Sequence, residues 1–132
     1  MPSRTLPLIA LVLIAMPAAG EMFEGDYRGC SEFSTLGITE CVAEKTRQWD
    51  ARLNRAYQSL RQRTEPGQQQ ALLAAQRLWI EYRDANCRFY FAGPGTISRI
   101  DGAECLRSMT QERTCELEAA QNREGGPGPG CE

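Results

Sequence analysis

What most constrains this chain is its six cysteines, Cys30, Cys41, Cys87, Cys105, Cys115 and Cys131, all placed after an apolar leader. Residues 1–20 carry one early charge, Arg4, then an apolar run from Leu6 to Met16, then Ala18, Ala19 and Gly20. That is the order of a secretory signal peptide, with cleavage expected after Ala19 or Gly20. The run is too short to span a bilayer, which needs about 20 apolar residues as helix. Lipid attachment at Cys30 does not fit either, because Tyr27-Arg28-Gly29 stand where small apolar residues are required. An even number of cysteines behind such a leader implies disulfides in an oxidising compartment, hence a periplasmic or secreted product with no stable membrane insertion after cleavage. A zinc site is not expected, since no cysteine pair is spaced C-x-x-C and the chain has no histidine. No cofactor is expected.

With 132 residues, 42% hydrophobic and 24% charged, the chain has room for one domain around one modest core. The formal charge is −2, and loss of Arg4 with the leader leaves 14 basic against 17 acidic residues. Such a chain lacks the basic field that binds phosphate backbones, so nucleic acid is not an expected partner.

The apolar pattern divides the mature part into a helical domain at 21–121 and a Gly/Pro-rich tail at 122–132. After a glycine-punctuated leading segment, Thr39 can cap a first helix in which Val42, Trp49, Leu53, Ala56, Tyr57 and Leu60 recur at helical spacing. Glu65-Pro66-Gly67 forms a short loop. A second helix, Gln68 to about Ala92, places Leu72, Leu73, Gln76, Trp79, Ile80, Arg83, Cys87 and Tyr90 on one broad face. Gly93-Pro94-Gly95 ends it, and a third helix runs from about Gly102 to Gln121 with Leu106, Met109, Arg113 and Leu117 inward. No strand-like alternation is present, and the terminal Gly/Pro run reads as a flexible tail. The fold class is therefore all-α: a small disulfide-stapled three-helix domain built on a long antiparallel helical hairpin.

The hairpin puts the start of the first helix beside the end of the second, and the Gly93 loop returns the third to that end. Cys41, Cys87 and Cys105 then cluster, with Cys30 folding over them. The preferred pairing is Cys30 with Cys41, Cys87 with Cys105, and Cys115 with Cys131; a glycine-rich tail could reach several places, so the third pair is the least constrained.

Some charged residues share faces with apolar ones. Asp50 and Asn54 lie on the side of Trp49, Leu53 and Tyr57; Arg83 is one turn past Trp79, and Arg113 one turn past Met109. A buried guanidinium needs its donors occupied, so Asp50 is predicted to pair with Arg83 or Arg113, with Asn54 capping spare donors. This is a core-locking network; the rival reading is a polar pocket for a ligand carboxylate. Trp49, Trp79 and Tyr57 fit core better than a sugar platform. Phe89, Tyr90 and Phe91 cannot all point inward, so at least one covers the Cys87 loop or stays exposed as an interface candidate.

Catalysis has little to work with: no histidine, a single lysine at Lys45, and cysteines expected to be oxidised. Glu81 and Asp84 have basic helical neighbours, which suits solvated i,i+4 pairs. The chain is not expected to be an enzyme.

Four motifs carry a resemblance. They are Asp50-Ala51-Arg52-Leu53-Asn54-Arg55-Ala56-Tyr57, the string Gln76 to Cys87 with Trp79, Arg83 and Asp84, Gly93-Pro94-Gly95-Thr96, and Cys105 followed by Thr110, Arg113 and Leu117. Together they resemble the LprI-type lysozyme inhibitor family over about Cys30 to Leu117. Cys115 and Cys131 look like an addition to that family's four cysteines, and the loop at Gly93 departs from its Gly-Gly-Ser type. The resemblance implies a non-catalytic protein that binds a lysozyme and covers its cleft. The best-placed contacts are then Phe89, Tyr90, Phe91, Thr96 and Ile97, on or beside a disulfide-pinned loop that loses little entropy on binding. An alternative is an envelope accessory module that docks a partner protein through a helical face, such as the arginine-rich side of the first helix, and has no lysozyme activity.

Overall fold

The computed structural model describes residues 29–30 and 34–131; the expected leader at 1–20 and its cleavage site lie outside the described residues. Three helices follow one another: α1 (Thr35–Gln62), α2 (Pro66–Phe91) and α3 (Ile97–Gln121). The chain is an all-α small domain with three disulfides, Cys30–Cys41, Cys87–Cys105 and Cys115–Cys131.

All three helices start earlier than their sequence pattern implies, and α2 takes Pro66 and Gly67 from the expected loop. Helix α1 is capped by Ser34, whose Oγ accepts from the Gly37 amide at 3.0 Å. Thr39, expected as the cap, is already inside the helix and returns its hydroxyl to the Thr35 carbonyl. Helix α2 opens with Pro66 in its first turn, where a missing N–H costs nothing. Helix α3 begins at Ile97 instead of near Gly102. Gly95 supplies the positive φ of 75° that turns the chain, and its carbonyl accepts the Ser98 hydroxyl at 2.7 Å, so the helix restarts at once.

Paired contacts fix the directions. Val42 packs with Ala103, the Thr114 hydroxyl reaches the Trp49 carbonyl, Arg52 meets Glu118, and Gln121 donates to the Ala56 carbonyl. Numbers rise together, so α1 and α3 run parallel. Against α2 they run oppositely: Cys87 bonds Cys105, and Gln76 accepts from Arg113. Helices α1 and α2 are antiparallel, yet they barely touch; α3 packs along both and is the centre of the domain.

A helix enclosed from two sides keeps only a narrow exposed back, and on α3 this is Glu112, Glu116 and Ala120, with most of the remaining surface buried or half-buried. Its buried set includes Ser98, Ser108, Thr110 and Thr114 beside Ile100, Ala103 and Leu117. These small residues let large ones on α1 and α2 come close: Leu53, Ala56, Tyr57 and Leu117 form one cluster with Leu72 and Trp79 against it. Their hydroxyls are silenced locally, Thr110 on the Leu106 carbonyl, Thr114 on Thr110 and Ser108 on Cys105. Leu106 and Met109, expected to point inward, are only half-buried because the tighter contacts fall to their smaller neighbours.

Gly102 marks the tightest approach. A Cβ there would lie 2.3 Å from Phe91 Cγ, so the ring of Phe91 rests flat on the helix backbone. Gly102→Ala should therefore destabilise the fold, by about 1–3 kcal/mol of overpacking less about 1 kcal/mol of gained helix propensity. Chemical denaturation checks the sign, and Phe91→Ala in the same background should remove the penalty.

Candidate functional site

The end of the domain where α2 turns into α3 presents the exposed aromatics. The Cys87–Cys105 bridge clamps the two helices just before and after the turn. Phe89 stands free in solvent, and Thr96 and Ile97 are also exposed. Tyr90 is half-buried and meets Phe89 edge to face, with ring centroids 5.2 Å apart. Phe91 is partly exposed but committed to Gly102. Of the five expected contact residues, Phe89, Thr96 and Ile97 are thus the most exposed, on the last turn of α2 and the start of α3, either side of the connecting turn.

The expected ion-pair network does not form. Asp50 accepts only a long 3.4 Å bond from Asn54, one turn away on the solvent side of α1. Arg83 pairs with its neighbour Asp84 at 2.9 Å and lies 5.0 Å over the Trp79 ring. Arg113 is buried and divides its donors between Gln76 and Glu116. The reason is the position of α3: it fills the space between α1 and α2, so Asp50 and Arg83 sit on helices that hardly meet. The buried charge pair is elsewhere. Glu104 and Arg107, one turn apart on α3, are 0% and 2% exposed and joined in a two-pronged bridge at 2.6 and 2.7 Å. Gln111 accepts from the remaining end of the guanidinium. The available signal was the i,i+3 spacing of Glu104 and Arg107 amid Ala103, Cys105 and Ser108, which a search for large apolar residues passes over.

The Gly/Pro tail, expected to be flexible, is folded back on the domain. Cys131 is bonded to Cys115, Arg52 donates to the Pro129 carbonyl at 2.7 Å, and Gln111 donates to that of Gly130. Gly130, at a φ of 81°, passes over the Trp49 ring. Arg52 organises this strap: it lies 4.7 Å over Trp49 and holds Glu118 through bonds of 2.6 and 2.7 Å. Glu118 in turn accepts from the Gly128 amide at 2.9 Å. Beside the strap is an open groove of about 410 Å³, lined by Arg52, Arg63, Glu118, Asn122 and the tail glycines. The Arg52 guanidinium, helped by the Gly128 amide, holds the Glu118 carboxyl below its usual range against the opposing effect of burial.

The six thiols are consumed in bridges, and among the described residues no group of three or more His, Cys, Asp or Glu side chains is placed to hold a metal. Among the described residues no helix is long and apolar enough to cross a membrane.

The class defined by these features is a small, disulfide-stapled helical domain. Residues 30–117, which include the whole three-helix body up to Leu117, match the family described as lysozyme inhibitor LprI, and the chain belongs to that family. A similar protein is an uncharacterized one from Rhizobium meliloti (strain 1021), 31% identical over 136 residues that cover 88% of this chain and 96% of the relative. No solved structure matches. The family match ends before the Gly/Pro tail, so the Cys115–Cys131 strap lies partly beyond it.

Two measurements test the charges. Arg107→Met should cost about 3–5 kcal/mol in chemical denaturation, because it leaves Glu104 buried without its partner. The double variant with Glu104→Leu should recover most of the loss. For the strap, Glu118 is charged and holds Gly128 above the ordinary glutamate range, and this contribution fades only as pH falls through its depressed pKa. The Gly128 amide resonance should therefore titrate with a midpoint below about 4.3, the unperturbed glutamate value, and Glu118→Gln should abolish the transition.

Proposed function

We propose that the mature chain is a non-catalytic, periplasmic or secreted protein that binds a lysozyme and blocks its substrate cleft. The observation that carries this reading is membership of the lysozyme inhibitor family over residues 30–117. Three disulfides support an extracytoplasmic location, since such bridges persist where thiols are not kept reduced. A net negative mature chain is attracted to a basic enzyme, which assists encounter.

The turn bearing Phe89, Thr96 and Ile97 is the element proposed to enter the cleft. The Cys87–Cys105 bridge holds it in shape before binding, so the ordering cost on association is small. An exposed aromatic in the last turn of α2 and an exposed aliphatic at the start of α3, with the Thr96 hydroxyl just before it, offer apolar area that is lost from water only in the complex.

The test is a lytic assay on cell-wall material with the purified, oxidised protein against several lysozyme types. Inhibition is expected, and Ile97→Asp should weaken it by about tenfold or more, the scale of a lost interface anchor. Ile97 is a suitable probe because it is exposed and its removal leaves the core intact. Absence of inhibition at large molar excess against every type would remove the lysozyme reading.

A further inference from the structure

Helix α2 has two apolar faces, and only one of them is used. Leu72, Gln76, Trp79, Arg83, Cys87 and Tyr90 turn toward the domain. On a second side, about 120° round the helix at 3.6 residues per turn, Ala71, Ala75, Leu78, Tyr82, Ala85, Phe89 and Ala92 are all exposed. The large members are far from buried: Phe89 is 75% exposed, Leu78 65% and Tyr82 62%. Their spacing alternates four, three, four, three, four, three. That is the repeat of a two-stranded coiled-coil seam, sustained over roughly 30 Å of helix. No charge interrupts it.

We propose that this outer face of α2 is a self-association surface, on which a second copy of the same chain packs its own α2 antiparallel. The occupant is chosen by complementarity. When the two-fold axis falls between residues 83 and 84, Tyr82 meets Ala85 of the second copy, Leu78 meets its Phe89, and Ala75 meets its Ala92. The central layers put a bulky side chain against a small one, which is how facing helices interdigitate at 8–10 Å separation. The same register sets Glu81 diagonally across from Arg88 of the second copy, two residues off the direct layer, and Arg88 likewise from its Glu81. Both residues are exposed on one edge of the seam, and in an antiparallel pair those edge positions face one another. The sequence is thus matched to itself in reverse, in apolar layers and in charge. A parallel pair would place Tyr82 on Tyr82 and leave Glu81 and Arg88 without opposite charges. The seam ends before Ile97, so the dimer leaves most of the turn proposed to bind lysozyme open; Phe89 alone belongs to both surfaces.

The experiment is sedimentation equilibrium of the purified oxidised protein over a range of concentrations, alongside Glu81→Arg, Arg88→Glu and the double exchange. A monomer–dimer equilibrium is expected. Either single reversal should weaken it severalfold, by facing like charges twice across the seam, and the double exchange should restore it. Leu78→Asp should give a monomer with unchanged helicity, and lytic inhibition measured on the same variants keeps this outcome separate from that of the lysozyme reading. A protein that stays monomeric at all concentrations overturns the proposal, as does a monomer that sediments instead with phospholipid vesicles. A dimer indifferent to the charge exchange overturns the antiparallel seam.

Discussion

Helix α3 lies between two helices that hardly meet, and nearly everything else in the domain follows from that enclosure. With only a narrow solvent-facing strip at Glu112, Glu116 and Ala120, α3 is not a simple amphipathic helix; it must be narrow, so that both neighbours approach it. Gly102, Ala103, Ser108, Thr110 and Thr114 supply the narrowness. The hydroxyls of Ser108, Thr110 and Thr114 bond carbonyls three or four residues earlier, so none of these three is unpaired. The bulk comes from Trp49, Leu53, Tyr57 and Trp79 on the flanking helices. Small residues in the middle and large ones outside give close packing with few apolar side chains, which suits a mature chain of this size.

The same enclosure explains where the charges are. A carboxylate and a guanidinium on one helix, one turn apart, can be buried together without help from a second helix, and Glu104 with Arg107 do so. Replacing such a pair by apolar residues need not cost stability, so its presence is not by itself a stabilising device. What it does is fix one side of α3: the guanidinium reaches on to Gln111, whose amide holds the Gly130 carbonyl. Together with Arg52, Glu118 and the Cys115–Cys131 bridge, this chain of bonds extends the rigid body into a segment with almost no apolar content. A strap of glycine and proline is ordered here by polar contacts and one covalent link instead of by burial.

Helix number, the short connections and the all-α class were legible in the sequence because apolar spacing of three and four is strong over α1 and α2 and because proline and glycine cluster between the helices. The cysteine spacing limited which helix ends could meet. The position of α3 was not legible. Its pattern is weak, for the reason that a helix buried on both sides carries small and polar residues where large apolar ones would mark a face. That one gap produced the misplaced ion pairs: with α1 and α2 taken as packed neighbours, Asp50 should reach Arg83, and with α3 between them it cannot. The tail failed differently. Composition describes what Gly/Pro segments do when nothing holds them, and it contains no information on partners such as Arg52 and Gln111, dozens of positions or a helix away.

Helix α2 shows why a pattern can be read correctly and still be read by half. Its inner face satisfies the periodicity expected of a core helix, and once that face has been assigned, the remaining alanines look like neutral helix formers. Only the burial of the inner set shows that Leu78, Tyr82 and Phe89 share the other side, and only their alternation with Ala71, Ala75, Ala85 and Ala92 turns three exposed residues into a continuous seam. A monomer in water gains nothing by exposing such a strip, since surface patches of this extent cost solubility unless something covers them. Among the described residues nothing covers it: α1 is held against α3 on another side, and the strap is tied over Trp49. The two outward features of α2, a seam along its length and a disulfide-clamped turn at its end, therefore place association and partner binding on one helix, with Phe89 where they meet.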